Sequence, residues 1–150
     1  MRLNAACSIL LAAACLTGCA APSHTARFNP PGLSKPNGYS HALATTGGTT
    51  VYVSGQLPLT ADGKPAGDDA RAQVRQALEN LKTALAASGA LLNDVVKINV
   101  YLTNMDDLPA FREVRDIYFV GEPPASSLVQ VSRLVRSDCR IEIDAVAVVR

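Results

Sequence analysis

From residue 37 to the C-terminus the spacing of apolar residues changes several times, and each change marks an element. Residues 40–45, a Thr46-Gly47-Gly48 turn and Thr49–Ser54 predict a β-hairpin, with Val51 and Val53 on one face and Tyr52 and Ser54 on the other. Asp68 or Asp69 can cap a helix that runs to Ser88, with Val74, Leu78, Leu81 and Leu85 on one stripe and Gly89 as its stop. A period of two over Val95–Thr103 then predicts a strand, with Val96, Ile98, Val100 and Leu102 inward and Lys97, Asn99, Tyr101 and Thr103 outward. A second helix is expected from about Asp107, with Pro109 in its first turn and Leu108, Phe111, Val114 and Tyr118 on its apolar stripe. Two closing strands follow, near Ser127–Arg133 and Arg140–Val149. The order β-β-α-β-α-β-β predicts an α+β fold with one sheet and both helices on a single face.

The N-terminus follows none of these periods. Arg2 precedes the apolar run Cys7–Leu16, which is too short to span a bilayer and reads as a signal peptide over residues 1–18. The run closes on Leu16-Thr17-Gly18-Cys19, which resembles a bacterial lipobox; that resemblance implies acylation of Cys19 and cleavage before it, an ordinary secretory signal being the alternative. Ala20 follows where an Asp would mark inner-membrane retention, so the expected address is the periplasmic side of the outer membrane, held by lipid alone. Four prolines and no apolar period make residues 19–36 a tether ahead of a domain at 37–150.

Removing residues 1–18 takes Arg2 away from the 14 basic side chains, leaving 13 against 13 acidic ones. That neutrality argues against nucleic acid as a partner, since phosphate binding needs an excess of clustered Lys and Arg. The four cysteines also lose their meaning as two disulfides: Cys7 and Cys15 leave with the signal, Cys19 is committed to lipid, and Cys139 remains as a lone strand-edge thiol. No metal-ligand spacing, phosphate loop or dinucleotide fingerprint is present, so neither metal nor cofactor is expected. On the last strand Ile141, Ile143, Ala145, Ala147 and Val149 alternate with Glu142, Asp144, Val146 and Val148. The second set is half apolar and has no helix left to cover it, which predicts burial against another subunit, scattered surface valines being the plainer alternative.

Several blocks carry a resemblance. Asn37-Gly38-Tyr39-Ser40, Val53-Ser54-Gly55-Gln56-Leu57-Pro58, Gln76–Lys82, Val95-Val96-Lys97 with Val100–Thr103, and Ile141-Glu142-Ile143-Asp144-Ala145 resemble, in order, the blocks of the Rid (reactive intermediate deaminase, or YjgF) family. The resemblance implies a chorismate-mutase-like fold, a mostly antiparallel sheet and a homotrimer with ligand clefts between subunits. It implies hydrolysis of reactive 2-imino acids, such as 2-iminobutanoate and 2-iminopropanoate, to 2-oxo acids and ammonia. It also implies that Glu142 orients or activates water, that the Tyr39 hydroxyl donates to a ligand oxygen, and that Gly55 lines the pocket with its backbone.

One position departs from the family. Where active members carry the arginine that grips the substrate carboxylate, Pro124-Ala125-Ser126-Ser127 presents Ser126, which offers no charge and no bidentate fork. Arg115, on the same helix side as Phe111 and Tyr118, and Arg133, farther along the closing strand, are candidates to replace it, a solvated face or local ion pair being the other fate of Arg115. Two functions follow: a hydrolase of C=N bonds acting through Glu142, and a non-catalytic trimeric module that binds a small periplasmic molecule.

Overall fold

The computed structural model describes residues 24–150; the expected signal peptide and lipid-bearing Cys19 lie outside the described residues. Six strands and two helices follow in the order β1 (His24–Phe28), β2 (Ala42–Thr46), β3 (Thr49–Gln56), α1 (Ala70–Ala87), β4 (Val95–Leu102), α2 (Leu108–Tyr118), β5 (Ala125–Gln130) and β6 (Ile141–Val149). The sheet that carries the core has the order β3-β6-β4-β5. β6 is antiparallel to both β3 and β4, whereas β4 and β5 run parallel, joined through α2.

Local chemistry explains the helices. Asp69 is extended and its carboxylate accepts from the Ala72 amide at 3.0 Å, satisfying a donor that the first turn leaves open. Ser88 caps the far end, and Gly89 follows at φ +76°, a conformation that costs glycine little and other residues more. Val74, Ala77, Leu78, Leu81 and Leu85 form the buried stripe between these stops. α2 begins with Pro109 in its first turn and buries Phe111 and Val114. Together with Ile98, Val100, Leu102, Ile141 and Ile143 these side chains make a single core, each large aliphatic or aromatic member contributing roughly 1.5–3 kcal/mol. Both helices lie on this side of the sheet and pack on one another.

Three expectations are corrected. The Thr46-Gly47-Gly48 segment does not close a hairpin: β2 pairs with β1, and the two glycines, at φ +69° and +81°, carry the chain into β3 of the other sheet. The proline-rich segment read as a tether contains β1, whose partner lies after the prolines and whose short run His-Thr-Ala-Arg-Phe has no period of its own. The last-but-one strand starts at Ala125 rather than Ser127 and ends at Gln130.

The face of the sheet away from the helices is partly covered by this chain. Val148 is buried, and a Cβ on Gly48 would already press on its Cγ1, so the β2–β3 connection covers that end. Val146 is half-buried, and its cross-strand neighbour Tyr52 is 80% exposed.

Candidate functional site

The residues singled out in the sequence fall into two clefts on opposite sides of the sheet. Tyr39, Arg115 and Ser126 line the first, a cleft of about 290 Å³ shared with Asn37, Met105, Leu108, Phe111, Arg112 and Leu128. Gly55 and Glu142 line the second, with Tyr101, Arg133, Asp144 and the Val131–Val135 loop. The two clefts share no residue.

The strand register places these groups. Ser126 pairs with Ile98 and Leu128 with Val100, both core residues, so β5 turns Ser126 and Leu128 toward α2. On β6, Glu142 pairs with Tyr101 and Asp144 with Asn99, which puts both acids on the face away from the helices. The pairing of β3 with β6 slips between Val53 and Gln56, and this irregularity lays the Gly55 backbone against the Glu142 side chain. A Cβ at Gly55 would displace the Glu142 carboxylate from its present position, so glycine lets that carboxylate lie against the backbone.

The two acids of the second cleft differ. Asp144 is held by two donors, Asn99 Nδ2 at 2.8 Å and the Tyr101 hydroxyl at 3.1 Å. That phenol is raised above its ordinary range, first because it donates to Asp144 and then because the carboxylate's charge opposes a phenolate. Glu142 makes no side-chain hydrogen bond among the described residues and is half-buried. It is therefore the carboxylate with lone pairs free for water or a ligand proton.

In the first cleft Arg115 is almost fully buried, with 7% of its side chain exposed. Its Nε and Nη2 donate to a single oxygen, Asp116 Oδ1, at 2.9 and 2.6 Å, and Nη1 reaches the Asn37 carbonyl at 3.5 Å. The guanidinium also stands 5.6 Å from the centroid of Phe111, a favourable cation–π placement. Gly38, at φ +69°, makes room, because a Cβ there would overlap the guanidinium. Tyr39 is half-buried and meets His41 edge-on at 5.3 Å between centroids.

Arg133 lies in the Glu142 cleft, not beside Ser126 of the same chain. Asn37, Arg112, Tyr101 and Asp144 were not singled out, although helix spacing already placed Arg112 next to Arg115 and strand alternation placed Tyr101 and Asp144 outward. Cys139 is buried and its thiol is pushed up, chiefly by desolvation and then by Asp138, which leaves little reactive thiolate at neutral pH. Among the described residues no group of three or more His, Cys, Asp or Glu side chains is placed to hold a metal ion.

This geometry has known counterparts. The family model described as Endoribonuclease L-PSP matches residues 32–149. The 2-iminobutanoate/2-iminopropanoate deaminase of Salmonella typhimurium is 36% identical over 106 residues, 69% of this chain and 82% of that protein. Among solved structures, a protein of unknown function of the conserved Rid family, YyfB from Yersinia pestis, aligns with a TM-score of 0.77 at 33% identity, covering 83% of this chain and 98% of that one. E. coli TdcF with bound serine aligns with a TM-score of 0.64 at 34% identity, covering 69% and 83%. The two helices packed on one face of a largely antiparallel sheet are thus the chorismate-mutase-like arrangement, and the chain belongs to the Rid (YjgF) family.

Proposed function

We propose that the protein hydrolyses reactive 2-imino acids or their enamine tautomers at clefts completed between copies of a homotrimer. The observation that carries this reading is the pair of half-clefts. Glu142 and Gly55 lie on one face of the sheet and Tyr39 and Ser126 on the other, and apposition of two copies would bring the halves together. The half-buried Val146 and exposed Tyr52 on the Glu142 face support such an apposition.

The chemistry needs one base and one water. The free carboxylate of Glu142 accepts a proton as water adds to the C=N carbon, forming a carbinolamine. Glu142 returns that proton to nitrogen and accepts the hydroxyl proton as the C–N bond breaks and the C=O bond forms; a 2-oxo acid leaves, and ammonia takes that proton away as ammonium. Asp144, tied to Asn99 and Tyr101, keeps a second negative charge beside the base. No metal or cofactor enters the scheme.

Generating 2-iminobutanoate in situ and following release of 2-oxobutanoate or ammonia tests the reading. The protein should accelerate release, and Glu142→Gln should lower kcat by about 100- to 10,000-fold. Absence of acceleration favours the second reading, a non-catalytic trimeric module for a small molecule, which the uncharged Ser126 specifically supports. We also propose that the chain is exported and anchored to the periplasmic side of the outer membrane through acylated Cys19. Labelled palmitate should enter the protein, and Cys19→Ala should abolish incorporation.

A further inference from the structure

We propose that α2 supplies the anion-binding group of the first cleft, with Arg115, helped by Arg112, taking the carboxylate of a small acid whose short aliphatic part rests on Leu108, Phe111 and Leu128. The site deepens the hydrolase reading for its role in turnover, but its binding chemistry stands on the cleft alone.

Helix spacing builds it. Leu108, Phe111, Arg112 and Arg115 follow at intervals of three, one and three, so a single face of α2 presents an apolar end and a cationic end to the edge strand β5. Opposite stand Ser126 and Leu128, and the 37–39 segment closes the side with Asn37 and Tyr39. The small Ser126 leaves the α2 guanidinium groups as the positive charge lining this space.

Arg115 is a buried charge with donors to spare. Of the five N–H bonds of a guanidinium, three are directed to Asp116 Oδ1 and the Asn37 carbonyl. One N–H on Nη1 and one on Nη2 have no partner among the described residues, and a carboxylate is the acceptor that suits a guanidinium. Its ion-pair partner Asp116 is exposed over 62% of its side chain, so water weakens that pair and leaves the guanidinium under-compensated. Asp116, the Gly38 gap and the Phe111 ring together fix the orientation, so little side-chain entropy remains to be lost on binding. Arg112 makes no ion pair among the described residues and adds a second, solvent-facing positive charge.

Calorimetric titration of the full chain in detergent with 2-oxobutanoate, against the uncharged 2-butanone, tests the site. The acid should bind at least about 30-fold more tightly than the ketone, and Arg115→Gln should remove that preference. Asp116→Asn, which removes a competing anion from an exposed position, should tighten 2-oxobutanoate binding several-fold, and Arg112→Gln should weaken it by a smaller, salt-sensitive factor. Equal binding of acid and ketone, no binding of either, or a preference that survives in folded Arg115→Gln would overturn the proposal. Should that variant not fold, unchanged or weaker binding in Asp116→Asn overturns it instead. An acid that binds the parent protein through Arg115 while the parent shows no imine turnover retires the hydrolase reading and leaves this one standing.

Discussion

The two faces of the four-stranded sheet treat polar side chains in opposite ways. On the helix face each buried polar side chain has at least one partner: Arg115 has Asp116 and Asn37, Asp107 has Arg140 at 2.9 Å, and Gln73 has the Gly67 and Asp138 carbonyls and the Arg140 amide. On the open face Glu142 is left without a partner and Tyr52 projects into solvent. The difference follows from desolvation, because a buried donor or acceptor without a partner costs about 1–3 kcal/mol, whereas an exposed one still has water. The packed, hydrogen-bonded core therefore lies on one side, and the acid without a partner on the other.

That contrast is breakable by substitution. Leu78→Ala on the helix face should cost about 2–5 kcal/mol in urea unfolding, since Leu78 is fully buried between α1 and the sheet; a loss under 1 kcal/mol would deny the asymmetry. Tyr101→Phe on the open face removes one hydrogen bond to Asp144 and should cost about 1 kcal/mol near neutral pH. Its pH dependence has a definite sign. The folded phenol holds its proton more tightly than the unfolded one, so its contribution is complete below the ordinary phenol range and is lost as pH rises through the raised value. Unfolding curves for the parent and Tyr101→Phe should accordingly converge under strongly alkaline conditions, and parallel curves would count against the contact. Tyr52→Asp should shift the stability of an isolated subunit by no more than about 0.5 kcal/mol, yet sedimentation should show the proposed trimer dissociating. Unchanged sedimentation would remove this face from the proposed interface.

Much of the packed side was legible in the sequence. Asp69, the stripe from Val74 to Leu85 and Gly89 are local signals, and each acts through the nearest turn of backbone. Alternation in β6 likewise separated Ile141 and Ile143 from Glu142 and Asp144. The pairing of β1 with β2 was not legible, because its hydrogen bonds join segments on either side of the prolines while Thr46-Gly47-Gly48 imitates a hairpin turn. The division of the candidate residues was hidden for a related reason. Which way Ser126 points depends on the parallel register with β4, a tertiary fact, and its distance from Glu142 is set by sheet order. The placement of Arg115 beside Phe111 was readable from helix phase; its burial depends on the absent side chain of Gly38.

That absence has an evolutionary side. Gly38 and Arg115 occupy one space between them, 77 positions apart in the chain, so neither is free to drift alone. Among relatives, arginine at the position of Arg115 should be found together with glycine at that of Gly38, and chains with a bulkier residue there should carry a shorter side chain on the helix. The pair would then serve as a two-letter marker for members that hold their anion from α2.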